Sequence, residues 1–309
     1  MPVKQVWQFS YKEVINLGIS YSQQKKLIIL GFLAIPVLLL IVFMFYPTLK
    51  LFQFSVTDWD GFSPAFKYVG LENFRQLILK SNDVWIALRN NSYYFLIHLL
   101  TIPFEIVVAS ILCGKIRSSK FFQSITFLPY VINGVAVALT FSYFYSPNGG
   151  ALNSMLDFLH LSALKMGWLS NIYIVNFVLV SVSLWRFCGL HVILFIAGIL
   201  SIPTEYYEAA SIDGANSFRQ FTNITIPGIK TVLELVLFLN VRGALSVFDI
   251  PFLMTNGGPG YETSTFMVYT IKTAFQFNQY GLASAMAVVL VILIIIFGYV
   301  QSKVIKIKG

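Results

Sequence analysis

The sequence predicts an all-α, polytopic membrane protein. It should have six transmembrane helices, both termini on the cytoplasmic side, and a further cytoplasmic helix between spans four and five. Three observations carry this reading. Only 11% of the 309 residues are charged, against about 25% in soluble domains, while 57% are hydrophobic. The apolar residues gather into runs long enough to cross a bilayer. Of the 21 Lys and Arg residues, 19 lie beside or between those runs, 12 on one side and 7 on the other. The same composition excludes a disordered, collagen-like or disulfide-stapled chain, and Cys113 and Cys188 form no disulfide framework or zinc ligand set.

The first run, residues 27–46, holds 20 residues without a charge, about 30 Å as a helix. It begins after Lys25-Lys26 and ends at Pro47. It is too long for a cleavable signal peptide and no small-x-small site follows it. The second covers 92–114, interrupted by His98 and Glu105, and the third covers 121–145 without any charge. The fourth, 172–200, is long and carries Arg186 near its middle, which predicts a tilt or break near Gly189. The fifth, 231–254, is the most polar, with Glu234, Asn240, Arg242 and Asp249; the sixth, 281–300, is nearly pure Ala, Val, Leu and Ile. Segments 1–26 and 304–309 are then cytoplasmic tails.

Loop charges set the direction. With the N-terminus inside, the inner segments hold Lys4, Lys12, Lys25, Lys26, Lys115, Arg117, Lys120, Arg219, Lys230, Lys303, Lys306 and Lys308, giving 12. The outer segments hold Lys50, Lys67, Arg75, Lys80, Arg89, Lys165 and Lys272, giving 7, mostly in one long loop where the bias counts for less. Trp59, Trp85 and Trp168 fall near the outer span ends, as interfacial aromatics do.

The chain has no phosphate-binding loop: Gly114-Lys115 lacks the upstream glycine and is followed by Ile116. His98, His160 and His191 have no metal-ligand neighbours at the right spacing, and no nucleophile motif occurs. An enzyme, a resident cofactor and a nucleic-acid partner are all unsupported.

Residues 202–230 form more than a connector. Pro203 and Glu205 suit a helix start, while Tyr206, Ala209 and Ala210 share one small face. Asp213-Gly214 supplies a stop, and a second helical stretch, 215–224, runs to Pro227. With three acids and two bases, the segment matches anionic lipid headgroups poorly, which leaves Glu208 and Asp213 free for a protein partner.

Glu208-Ala209-Ala210, Asp213-Gly214-Ala215, Phe221, Ile224 and Pro227 stand at the spacing of the EAA motif, E-A-A-x2-D-G-A-x5-F-x2-I-x2-P. The chain thereby resembles permease subunits of binding-protein-dependent ABC importers. Phe248-Asp249, Thr255-Asn256-Gly257-Gly258-Pro259, Ala274-Phe275, Gly281-Leu282-Ala283-Ser284-Ala285, Ser55-Val56-Thr57-Asp58-Trp59, Val69-Gly70-Leu71-Glu72-Asn73-Phe74 and Trp168-Leu169-Ser170 are similar to the maltose/glycerol-phosphate type of that superfamily. Together they cover about residues 27–303. One departure is Thr231, where many carbohydrate permeases carry a second proline.

The resemblance implies a coupling helix inserted into a groove of an ATPase, with Glu208, Ala209, Ala210, Asp213, Gly214 and Ala215 at the contact. It implies a second homologous permease subunit forming a heterodimer, and a cytoplasmic ATPase dimer that holds the ATP and magnesium. It also implies an extracytoplasmic solute-binding protein docking near residues 47–91, a sugar cargo, and a place among the lipids of a bacterial plasma membrane. Glycerol phosphate or an amino acid is the alternative cargo. An ion-coupled secondary transporter is a further alternative, and it would predict internal repeats with broken helices in both halves, which are not evident.

For the solute path, Arg242 lies near the middle of span five, where a lone charge is costly. Arg242, Ser246 and Asp249 fall at i, i+4 and i+7, one stripe facing a cavity, while Asn240, also a candidate by its polarity, points elsewhere. The competing reading pairs Arg242 with Asp249, Glu105 or Glu234 as packing glue. Arg186 reads as structural, and Glu105 with His98 as an internal pair. An exposed Arg242 would suit an anionic cargo such as a uronate-containing oligosaccharide or a phosphate ester.

Overall fold

The computed structural model describes residues 20–114 and 117–306, and their side chains as far as residue 303. The tails on which Lys4, Lys12 and Lys308 fall, and Lys115 in the short loop, lie outside the described residues. The chain divides into two units, residues 1–53 and 54–309. Among the described residues, five helices are long and apolar enough to cross a membrane, or six if one bent pair counts as a span.

The first helix, α1 (Tyr21–Ser55), starts on a reciprocal cap: Ser20 Oγ accepts from Gln23 N, and Gln23 Oε1 accepts from Ser20 N. It does not end at Pro47 as the sequence predicts. A π turn at Ile41–Phe45, in which the Tyr46 N–H donates to the Ile41 carbonyl, lets the helix pass the proline and continue.

The second unit contains the remaining elements. A short helix α2 (Glu72–Leu79) precedes α3 (Asn82–Cys113), which starts ten residues ahead of the apolar run. Residues 121–145 form no straight span: α4 (Ser119–Val131) and α5 (Gly134–Phe144) meet at 91°. Pro129 cannot donate in the last turn of α4, Ile132 is extended, and Asn133 restarts the helix by accepting from Val135 N at 2.8 Å. After α6 (Ala151–Phe158) comes α7 (Val175–Leu200), the central helix. It is not broken at Gly189. A side chain there would collide with the Thr126 carbonyl, so this glycine serves the close approach of α4 rather than a kink.

Then follow α8 (Thr204–Ile212), the single turn α9 (Ser217–Gln220) and a π turn at Phe221–Thr225. The fifth apolar run is split into α10 (Lys230–Leu245) and α11 (Asp249–Thr255). After α12 (Phe266–Phe275) the described chain closes with α13 (Tyr280–Lys306).

Three apolar clusters hold this unit together. One joins Tyr94, Val137, Leu179, Val182, Val247 and Ile250 across α3, α5, α7 and the α10–α11 break. A second packs Ile106, Leu112, Phe195, Ile229 and Val236 at the end where α7 leads into α8. The third, around Leu77, Ala87, Phe266 and Met286, ties α2 and α3 to α12 and α13. Polar backbone exposed by the irregular segments is met by buried side chains. Asn90 Nδ2 donates to the carbonyls of Tyr261 and Ser264, and Asn176 Nδ2 to that of Glu262, fixing the loop after α11. Gly281 lets the start of α13 approach the Thr57 carbonyl, and its N–H donates to Trp59 O at 2.9 Å.

Candidate functional site

Two places carry chemistry: a cavity beside α10 and the exposed α8 segment. The cavity, of about 420 Å³, is lined by Tyr94 and His98 from α3, Tyr130 from α4, and Ser183, Phe187 and His191 from α7. Asn240, Arg242, Ser246, Val247, Phe248 and Asp249 complete it.

The stripe expected along one helix spans two. Ser246 caps α10, and Asp249 opens α11 after a non-helical Phe248. In an unbroken helix these backbone carbonyls would be paired within the helix. The break instead turns backbone toward side-chain partners: Asn91 Nδ2 donates to the Ala244 and Leu245 carbonyls, and Thr265 Oγ1 to that of Val247 at 2.7 Å. Arg242, Ser246 and Asp249 still meet at one cavity. Asn240 does not point elsewhere; it lines the same cavity, with its Nδ2 donating to Phe95 O at 3.3 Å.

None of the ion pairs expected for Arg242 forms. Asp249 is bonded to Arg186 Nη1 and also accepts from Ile250 N at 3.0 Å. Glu105 is bonded to His191 Nδ1 at 3.0 Å and accepts from Thr101 Oγ1 at 3.1 Å, so its partner is not His98. His98 Nε2 lies 3.0 Å from Ser183 Oγ. The structural role read for Arg186 fits its bond to Asp249. Arg242 makes no ion pair among the described residues and is exposed to the cavity. Tyr94, 2% exposed, leaves its hydroxyl without a hydrogen-bond partner.

Sequence reasoning missed Tyr94, Tyr130, Ser183 and Phe187, which sit among many aromatic and small residues. Only fold-level contact between α3, α4 and α7 singles them out.

The α8 segment is a helix with Pro203 at its N-cap and Glu205 in its first turn. Gly214, at φ +77°, ends it in the left-handed region, with Ala215 N donating to Ala210 O at 2.8 Å. Tyr207 Oη to Thr225 Oγ1, 3.0 Å, and Gln220 Nε2 to Ser211 Oγ, 2.9 Å, hold it against the return strand of chain. Glu208, Ala209, Asp213 and Gly214 are exposed, with Ala210 and Ala215 partly covered. Tyr206, Ile212 and Phe218 add a bare apolar surface beside them, 62%, 87% and 73% exposed.

The family model described as the inner membrane component of binding-protein-dependent transport systems matches residues 105–306. A probable ABC transporter permease protein, YurN of Bacillus subtilis, is 33% identical over 92% of this chain and 97% of its own. The diacetylchitobiose uptake system permease protein NgcF of Streptomyces coelicolor is 32% identical over 91% and 82%. Among solved structures, a bacterial ABC transporter involved in the import of the acidic polysaccharide alginate superimposes with a TM-score of 0.78. It is 24% identical, covering 91% of this chain and 97% of that one, and so shares the fold.

Proposed function

The chain belongs to the inner membrane components of binding-protein-dependent transport systems, and from that premise we propose that it is one permease half of an ATP-driven carbohydrate importer. It is a multi-pass protein of the bacterial plasma membrane. Its relatives include permeases named for diacetylchitobiose, multiple sugars, trehalose/maltose and arabinooligosaccharides, which supports a di- or oligosaccharide as cargo.

The observation that carries the mechanism is the exposed α8 helix, joined through one turn, α9, and a π turn to α10, whose far end walls the cavity. We read α8 as the coupling helix, seated in a cytoplasmic ATPase. That orientation puts both chain termini inside and the loop after α11 outside. Closure of the ATPase dimer on ATP and magnesium would push α8 and, through it, α10. Because the apolar run is broken at Ser246, α10 can tilt while α11 stays bonded to α7 through Arg186, changing access to the cavity. Arg242, Asn240 and Ser246 stand on the moving wall; Asp249 is committed to the fixed one. A second, homologous permease subunit would close the other half of the path, and an extracytoplasmic binding protein would deliver the sugar.

The test is reconstitution in liposomes with the partner permease, ATPase and binding protein. Uptake should require added binding protein and stop with vanadate. Uptake that needs neither and follows an imposed ion gradient would refute the reading in favour of a secondary transporter.

A further inference from the structure

We propose that the cavity takes a sugar bearing an acidic group, a carboxylate or a phosphate, with Arg242 as its counter-ion. This rests on the importer reading above and adds the charge of the cargo.

The inference comes from following each charge at the cavity wall. Arg242 and Asp249 are the Lys, Arg, Asp or Glu side chains that line it. Asp249 is already compensated by Arg186, which lies behind it at 15% side-chain exposure. Glu105, bonded to the lining residue His191, is 2% exposed and spent on His191 and Thr101. Neither these nor Glu234, eight residues before Arg242 on α10, forms an ion pair with Arg242. A guanidinium left uncompensated at membrane depth is costly, and its planar fork matches a carboxylate or phosphate in two parallel bonds.

The rest of the wall fits a sugar. Tyr130, Phe187 and Phe248 are aromatic residues of the lining, and Asn240 and Ser246 bring amide and hydroxyl groups. Tyr94 brings a hydroxyl that lacks an acceptor. The volume falls within the roughly 300–1,000 Å³ of small-molecule sites.

The experiment uses the full complex in nanodiscs, without binding protein, and three probes: digalacturonate, trehalose phosphate and maltose, each at about 1 mM. Saturation-transfer NMR should show an acidic probe bound, and Arg242→Gln should weaken it by about tenfold or more while Arg242→Lys retains most of the binding. Response to digalacturonate alone identifies a uronate, and to the phosphate alone a phosphate ester. Maltose binding as well as the acidic probes, and equally in Arg242→Gln, overturns the proposal, as does failure of both acidic probes to bind. Size-exclusion profile and thermal unfolding of Arg242→Gln establish that loss of binding is not loss of fold. ATPase stimulation by the binding protein, measured on the same preparation, reports separately on the importer reading. If it is present while acidic probes fail, only the charge assignment falls.

Discussion

Asp249, at the first turn of α11, is bonded to Arg186 on α7, and Gly134 at the start of α5 lies so close that a side chain there would strike both. Three elements therefore meet at one ion pair. Arg186 Cζ also stands 4.9 Å from the Phe187 ring centroid.

Arg186→Gln or Asp249→Asn should each destabilise the protein. A fully buried pair loses about 3–5 kcal/mol when one partner is removed, but Asp249 is 35% exposed, so about 1–3 kcal/mol is expected. The exchange Arg186→Asp with Asp249→Arg should recover part of that. Thermal unfolding in detergent measures all four proteins. No recovery in the exchanged variant would show that helix-terminal placement of Asp249, rather than the pair, matters.

Gly189→Val should be more damaging than its chemistry suggests. Its new side chain would meet the backbone of Thr126 and Phe127, which cannot swing aside as a side chain could, so α4 must part from α7. A loss of about 2–4 kcal/mol is expected, at the upper end of overpacking effects. Gly31→Ala is the control, because nothing stands within 4 Å of its Cβ position, and there a gain of up to about 1 kcal/mol from helix propensity is expected. Equal unfolding temperatures for the two variants would contradict the close α4–α7 contact.

What the residues disclose in advance follows from which forces are local. The presence of the apolar helices, the start of α8 at Pro203 and its stop at Gly214 are legible because hydropathy and backbone preference act within a few residues. The bend at residues 132–133 and the break at 246–248 are invisible in composition, since an apolar stretch reads alike whether straight or folded back. What decides the break is tertiary: Asn91, 153 residues before Ala244, donates to the carbonyls that it exposes. Likewise Asp249 finds Arg186, 63 positions away, rather than Arg242 seven residues before it. Spacing along one helix offered Arg242 as a competing partner because it assumed that the helix continued.

Outside the spans, Asp60 governs a tight turn. Its carboxylate accepts from Ser63 Oγ at 2.6 Å, Ser63 N at 2.8 Å and Phe62 N at 3.0 Å, and these bonds hold its pKa down at about 2 from 3.8. Because the folded value is the lower one, the turn gains from the charged form above pH 3.8 and loses that gain as pH falls toward 2. Ser63→Ala removes the largest cause, so Asp60 should titrate closer to the usual carboxylate range. Carbon-13 NMR of labelled aspartate follows this directly, and an unchanged titration in the variant would contradict the Ser63 bond.

Glu208 provides the sharpest separation of fold from function. Its side chain is exposed on α8, while the bonds that position the helix come from Tyr207, Ser211 and Gln220. Glu208→Lys should therefore leave the unfolding temperature within the range of ordinary surface changes, about 0.5 kcal/mol. Yet it places a cation where the proposed ATPase groove meets an anion, and it should abolish both co-purification with the ATPase and solute uptake. Tyr207→Phe should do the reverse in kind: it removes a hydrogen bond to Thr225 worth about 1 kcal/mol, loosening the helix without altering its outer face. The ATPase should still bind, with uptake per ATP reduced. Intact ATPase binding by Glu208→Lys would remove α8 from the coupling path, whatever the cavity carries.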